Sequence, residues 1–187
     1  MSSVDIYTQP TPNPNALKFI LTQDVILHGK VTYHKKEEIF NNPMGLALFQ
    51  IQGVAQVHFY ENVITVTQDG TVDWADLESQ VREVVLGHIE THDMNFNQSG
   101  MTEEDRRSKL PPEIQEIETI LDRTIRPGLQ GDGGDLEVIE YDQDEKLVTV
   151  QYQGASGSCP SATTGTLMAI QGILRDEFDP DVEVIPL

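Results

Sequence analysis

Alternating apolar residues predict several short strands in the first half of the chain. Three prolines from Pro10 to Pro14 favour extended or turn backbone, and an apolar run from Ala16 to Leu21 follows them. Further strands are predicted over residues 30–34, 54–60 and 63–67. The last two alternate on either side of Glu61-Asn62, which is the pattern of a β-hairpin.

Helical spacing predicts two helices beside these strands. Pro43 stands near the start of an apolar run to Ile51, and Asp73 is suited to cap a helix from Trp74 to about His88. The apolar positions of the second helix recur every three or four residues and predict one buried face. They are Leu77, Val81, Val84, Val85 and Ile89. Together these elements predict a first α+β domain over residues 1–93.

The pattern fails over residues 94–111 and returns after them. The intervening segment is polar and charged, and it is predicted to be a mobile linker in which a short helix is compatible with the sequence. Residues 112–187 then predict a second α+β domain in the order helix, strand, strand, helix, strand. The fold class is therefore α+β, with two small domains joined by a polar linker.

The second domain contains one stretch that the pattern does not assign to a helix or strand. An apolar stripe predicts a helix from Pro112 that ends by Pro127-Gly128, and residues 129–135 are predicted to be a glycine-rich turn without regular structure. Its glycines are expected to let the turn approach a neighbouring loop or a second subunit closely. Strands are predicted over residues 136–141, 147–152 and 182–185, with a helix from Pro160 to about Phe178.

Composition narrows the classes of partner. The chain has 12 basic and 31 acidic residues and a formal charge of −19, so it repels nucleic acid and anionic membranes. No apolar run is long enough to span a bilayer, and Met1-Ser2-Ser3-Val4-Asp5 lacks the pattern of a signal peptide. A single cysteine excludes an internal disulfide framework. These features predict a cytoplasmic protein that binds neither nucleic acid nor membrane.

That cysteine, Cys159, is the strongest candidate for chemistry. It lies between a predicted strand and a helix that Pro160 begins, where the positive end of the helix favours thiolate over thiol. A thiolate binds soft metals or attacks electrophiles. Catalysis by Cys159 is not favoured, because a nucleophilic cysteine requires a nearby base and all five histidines lie in the first domain.

Two other motifs are weaker candidates. His88 and His92 are four residues apart, but the spacing of the intervening glutamate departs from a zinc-protease motif, and they lie where the helix is expected to end. Asp132 and Asp135 flank two glycines without the spacing of a calcium loop. We interpret the first pair as structural and the second as part of a glycine turn.

The second domain resembles the C-terminal domain of NifU-like proteins, the Nfu family of iron–sulfur cluster scaffolds and carriers. Three motifs in the right order carry the resemblance: Ile125-Arg126-Pro127 before the turn at residues 131–136, Gly154-Ala155 at a strand end, and Cys159-Pro160-Ser161 opening a helix with Thr166-Leu167. The first domain is similar to the family's N-terminal domain through the run of residues 11–19. The resemblance covers everything but the linker.

The chain departs from the family at the site itself. The family's loop is Cys-x-x-Cys-Pro, and Ser156 occupies the position of its first cysteine, with one extra residue between Pro160 and Thr166-Leu167. The resemblance implies a cluster shared by two chains, whereas two copies of this chain supply only two Cys159 thiolates of the usual four ligands. Ser156 is a harder and far weaker donor. An introduced substitution, a natural divergence that keeps some binding, and a loss of metal function all remain open.

The resemblance therefore implies an iron–sulfur cluster scaffold or carrier rather than an enzyme. We expect Cys159 as the metal ligand, Ser156 as a weakened ligand position, and a 4Fe–4S cluster in preference to 2Fe–2S. The implied partners are iron–sulfur assembly and recipient proteins, with a homodimer when the cluster is bound. The alternatives are a metal-free interaction module that has lost cluster binding, and a thiol-redox protein without a resolving cysteine.

Overall fold

The computed structural model describes residues 4–97, 103–158 and 160–187. The chain forms two compact units, Met1–Thr102 and Glu103–Leu187. Each unit combines an antiparallel or mixed sheet with helices, so the predicted α+β class is confirmed. None of the described helices is long and apolar enough to cross a membrane.

The first unit contains a five-stranded antiparallel sheet in the order β1-β2-β5-β4-β3. Its strands and two α-helices are β1 Ile6–Pro10, β2 Ala16–Leu21, β3 Lys30–Tyr33, α1 Pro43–Phe49, β4 Val54–Tyr60, β5 Val63–Gln68 and α2 Trp74–His88. Short 3₁₀ helices occur at Lys36–Glu38 and Ile89–Thr91. The hairpin predicted around Glu61-Asn62 is confirmed, and Glu61 adopts φ +49° in its turn.

Helix α2 begins and packs as its sequence predicts. The Asp73 side chain accepts a hydrogen bond from the backbone N–H of Ala75 at 2.9 Å, which caps the first turn. Leu77, Val81 and Val85 are fully buried and pack with the sheet in one apolar core.

The first unit extends into the predicted linker. The backbone N–H of Leu27 donates to the carbonyl of Met94 at 3.0 Å, and Phe96 is buried in the core of this unit. Phe96 lies edge-on to Phe59, with ring centroids 5.4 Å apart. A single aromatic residue within a polar segment carries no periodicity, so the sequence pattern did not reveal this packing.

The second unit contains a three-stranded sheet in the order β6-β7-β8. Its elements are α3 Glu103–Ser108, α4 Pro112–Thr124, α5 Arg126–Gly131, β6 Gly134–Asp142, β7 Leu147–Gly154, a 3₁₀ helix Ala155–Ser158, α6 Pro160–Glu177 and β8 Glu183–Pro186. β6 and β7 are antiparallel, whereas β8 is parallel to β7, so α6 is the crossover between them. The second core packs α4 and α6 against this sheet.

Helix α5 corrects the prediction that residues 129–135 lack regular structure. After α4 ends at Thr124, Pro127 stands in the first turn of a new six-residue helix, where its missing N–H costs little. This helix ends at Gly131, and Gly133, at φ +80°, turns the chain into β6. The turn between α5 and β6 is therefore two residues long, Asp132 and Gly133, rather than seven.

Candidate functional site

The predicted site lies in the connection between β7 and α6. β7 ends at Gly154, which adopts φ +62°, and the 3₁₀ helix Ala155–Ser158 leads toward α6. Ser156 lies in this 3₁₀ helix and is partly exposed. Cys159, the predicted metal ligand, lies outside the described residues.

The turn before β6 holds this loop. The backbone N–H of Ala155 donates to the carbonyl of Gly133 at 3.1 Å. Gly134, the first residue of β6, pairs with Gly154, the last residue of β7. The loop is therefore fixed to the glycine turn by backbone contacts on both sides of the strand end.

Gly134 packs directly against Ser156. A Cβ atom on Gly134 would lie 2.8 Å from the Ser156 backbone nitrogen and 2.9 Å from its Cβ, and it would also overlap the Ser156 hydroxyl. The close approach expected of the glycine turn is thus found between Gly134 and Ser156. The serine side chain faces the backbone of its own chain at this point.

A buried ionic network lies behind the same turn. Arg126 is at the start of α5, and its side chain is 6% exposed. It donates to Asp135 at 2.9 Å, to Glu118 at 2.8 Å and to the carbonyl of Leu136 at 3.0 Å. A third carboxylate, that of Asp122, also ion-pairs with Arg126. The guanidinium therefore links both helices α4 and α5 to the first residues of β6.

The buried carboxylates of this network also accept hydrogen bonds from other groups. Asp135 is fully buried and accepts from the backbone N–H of Leu136 at 2.7 Å and from Gln130 at 3.1 Å. Glu118, also buried, accepts from the backbone N–H of Val138 at 3.2 Å. Because Asp135 directly follows Gly134, the network fixes the residue that supports Ser156.

Helix α3 adds a second cation to the network. Arg107 ion-pairs with Asp122 and donates to Glu118 at 3.3 Å, and Arg106 donates to Glu137 at 2.8 Å. These contacts attach a helix from the predicted linker to the second unit. Helix α3 accordingly lies within the second compact unit, Glu103–Leu187.

Charge pairing in this network overcomes the cost of burial. Burial alone would lower the pKa of Arg126, but the carboxylates of Glu118 and Asp135 outweigh it and raise that pKa above its ordinary value. Burial would likewise raise the pKa of Asp122, yet hydrogen bonds from Arg107 and Arg126 hold it below its ordinary value. Arg126 and Asp122 therefore remain charged at neutral pH.

Sequence reasoning did not identify this network. Arg126 was only part of a family motif, and Asp135 was interpreted as part of a glycine turn. Glu118 lies in the apolar stripe of α4. The available signal was an acidic residue in the buried stripe of a helix, since a charge is rarely buried there without a partner. The identity of that partner depends on the fold.

His88 and His92, the weaker metal candidates of the first unit, have structural contacts there. His88 Nδ1 lies 2.8 Å from the carbonyl of Val84, while His92 Nε2 lies 2.7 Å from the carbonyl of Val25. His92 also stacks on Phe59. Burial lowers the pKa of His92, which keeps its imidazole neutral. Within the described ranges, no group of three or more potential ligands is arranged to hold a metal ion.

The donor chemistry of the loop limits what it can bind. Asp135, interpreted above as part of a turn, uses its carboxylate to accept hydrogen bonds from Arg126 and from the backbone N–H of Leu136. Ser156 offers one hydroxyl, a hard oxygen donor with little affinity for iron–sulfur chemistry. A soft metal at this loop would therefore depend on the Cys159 thiolate and on ligands from outside the chain.

Comparison with known families matches both units. Residues 6–92 match the family described as scaffold protein Nfu/NifU N terminal, and residues 117–185 match the NifU-like domain. The second match contains the glycine turn, the loop and α6.

Individual relatives agree with these matches. The mitochondrial NFU1 iron-sulfur cluster scaffold homolog of Homo sapiens is 32% identical over 95% of this chain and 69% of its own length. The mitochondrial NifU-like protein 5 of Arabidopsis thaliana is 29% identical over 95% and 70%. A solution structure of a NifU-like protein from Saccharomyces cerevisiae is 22% identical, covers 54% of this chain and 89% of that one, and has a TM-score of 0.47. The predicted cytoplasmic location is wrong, since the human and plant relatives are both named as mitochondrial proteins.

Proposed function

Because the chain belongs to the Nfu/NifU family of iron–sulfur cluster scaffold proteins, we propose that it holds a cluster and delivers it to recipient proteins. One observation carries the proposal: the only cysteine of the chain falls inside the segment 117–185 that matches the NifU-like domain. The scaffold names of the relatives indicate a non-catalytic protein. Their mitochondrial names favour the same compartment for this chain.

Cys159 is the proposed ligand. It immediately precedes Pro160, at which the 18-residue helix α6 begins. The positive end of a helix stabilises thiolate over thiol, and thiolate is the form that binds iron. The lone cysteine therefore has the sequence position that a cluster ligand requires.

Two chains are needed for one cluster. A cluster normally takes four thiolates, and each chain supplies one. A homodimer brings two, and small thiols such as glutathione or a partner protein provide the rest. A cluster held by so few protein ligands exchanges them readily, which suits delivery more than storage. A 4Fe–4S cluster is the cargo we favour.

Ser156 weakens retention of the cluster. Its hydroxyl is a poor replacement for a thiolate, and its side chain lies against Gly134. A cysteine at this position supplies the missing sulfur from the same loop. The first unit, which matches the family's N-terminal domain over residues 6–92, would recognise assembly or recipient proteins.

Anaerobic reconstitution with iron and sulfide, with and without added glutathione, tests the proposal. The wild-type protein is expected to bind iron with visible absorption only when glutathione is present, and Cys159→Ser to bind none. Ser156→Cys is expected to raise iron per chain and to reduce the dependence on glutathione. The matched control is Ser79→Cys, which adds a cysteine on the exposed side of α2 and leaves iron content unchanged.

The alternative is a metal-free interaction module, and the serine at position 156 is the observation that favours it. It predicts no cluster in wild-type protein under either condition. Equal iron content in the wild type and Cys159→Ser would also overturn the proposal, because the iron would then be bound elsewhere.

A further inference from the structure

One side of α6 is exposed and apolar. Gly165, Met168, Ala169 and Gly172 are exposed, while Ile170 and Leu174 on the opposite side are fully buried. The four exposed residues follow the spacing i, i+3, i+4, i+7, which places them on one helical face about two turns long. We call these four residues the α6 neutral face.

This face lies in an unusual stretch of the sequence. Residues 147–174 contain no acidic, basic or histidine residue, although 23% of the chain is charged and its net charge is −19. The uncharged stretch ends at Arg175 and Asp176, directly after the last turn of the α6 neutral face. Charge is therefore absent from an exposed helical surface where an acidic protein would ordinarily carry it.

The two glycines of the face make no close contact with the part of the unit that the structure describes. A Cβ atom on Gly165 or on Gly172 would meet no described atom within 4 Å beyond the helix backbone. Glycine is among the least favourable residues for a helix interior. Among the described residues, no close approach to either glycine offsets that cost. Small residues do allow the backbone of a second helix to approach closely.

Met168 adds an apolar anchor between the glycines. Its side chain is 71% exposed, next to Ala169 and one turn from each glycine. A flexible, polarisable side chain of this kind fits irregular apolar surfaces. Two small residues flanking one large residue make a surface into which a matching helix can interlock.

We propose that the α6 neutral face is the surface on which a second copy of this chain docks. Two molecules with a charge of −19 repel one another over most of their surfaces, and a face without charge removes that repulsion at short range. A two-fold interface brings the same surface of both copies together, and a face without charge meets its own copy without opposing like charges. The occupant is therefore a copy of this chain rather than a basic protein, which would select a charged face.

The inference rests on the proposed function in one respect: the shared cluster is incomplete without the second copy. Each α6 begins immediately after Cys159. Two α6 helices packed along this face with their starts at the same end bring both cysteines to one end of the helix pair. A contact of two turns is small, so the dimer is weak and the cluster strengthens it.

Sedimentation equilibrium of the full chain tests this surface before and after reconstitution with iron and sulfide. The iron-free wild type is expected to dimerise weakly, and more tightly as salt screens the repulsion. Met168→Glu should weaken the dimer at least tenfold. Leu86→Glu, which places the same charge at a 49% exposed leucine of α2, should leave it unchanged.

A second pair of variants separates contact from folding. Gly165→Gln and Gly172→Gln should raise the melting temperature, because glutamine is a better helix former than glycine, and still weaken the dimer. Gly87→Gln in α2, where a Cβ also meets no described atom within 4 Å, should raise the melting temperature without weakening the dimer. A purely structural role of the α6 glycines would not give opposite effects.

The outcomes separate the two proposals. A monomer under all conditions, or a dimer that Met168→Glu leaves intact, overturns the docking surface whether or not iron is bound. A dimer that Met168→Glu dissociates while iron never binds supports the surface and overturns the cluster function.

Discussion

Gly134→Ala is predicted to destabilise the second unit by steric overlap alone. Gly134 does not adopt a positive φ, so alanine suits its backbone conformation. The added Cβ would, however, lie 2.8 Å from the backbone nitrogen of Ser156 and 2.9 Å from its Cβ. Backbone atoms cannot rotate away as a flexible side chain can, so the loop must shift.

The magnitude follows from this geometry. Overpacking a close contact costs about 1–3 kcal/mol. For a unit of this size, each kcal/mol lowers the melting temperature by about 4–8 °C. Gly128→Ala is the control, because Gly128 lies inside α5 and a Cβ there meets no described atom within 4 Å. That control is expected to be neutral or to gain up to about 1 kcal/mol.

Differential scanning calorimetry on the full chain measures the effect, and fluorescence localises it. Trp74 is the single tryptophan and lies in the first unit, so its unfolding midpoint should not change. Adding Ser156→Gly to Gly134→Ala removes the Cβ contact but keeps the close backbone nitrogen, and should restore part of the loss. Melting within about 1 °C of the wild type, or no energetic coupling between the two sites, refutes the steric argument.

Two further predictions concern buried charge and pH. Arg126→Met removes a buried cation that ion-pairs with both Asp135 and Glu118, of which Glu118 keeps Arg107, and it should cost about 3–5 kcal/mol in urea unfolding. Arg123→Met removes an exposed ion pair and should cost no more than about 1 kcal/mol. Equal losses would contradict the burial argument. Burial lowers the pKa of His92, so the unfolded chain binds the proton more tightly and the first unit should lose stability as pH falls below about 6.5. His92→Gln should reduce this slope of the Trp74 unfolding midpoint against pH, and an unchanged slope would assign it to other groups.

Local pattern was sufficient for most of the fold because most elements bury one regular face. The stripe of α2 and the β4–β5 hairpin are set by neighbouring residues, and both have the predicted positions. The short helix α5 was missed because two glycines and a proline in six residues oppose helix propensity. Its stability comes from packing and from Arg126, which no local rule includes.

The candidate site likewise has one part that the sequence predicted and one part that it did not. Family resemblance selected the loop around Ser156 and Cys159, and the glycine turn indeed contacts Ser156. The network of Arg126, Glu118 and Asp135 that supports this turn joins residues from two helices and a strand. Such pairings depend on which elements meet, and periodicity contains no information about them.

The ionic network also decides how the second sheet can grow. β6 lies at the edge of the sheet, and its backbone groups at Leu136 and Val138 are taken by the side chains of Arg126 and Glu118. The Arg126 guanidinium and the Glu118 carboxylate thus occupy the positions from which a further strand would form hydrogen bonds with β6. An extended peptide approaching this part of β6 finds the Leu136 carbonyl and the Val138 N–H already bonded, which opposes aggregation by strand addition there. Loss of Arg126 would therefore remove the side-chain hydrogen bond to the Leu136 carbonyl, and aggregation through β6 is the failure expected of that variant.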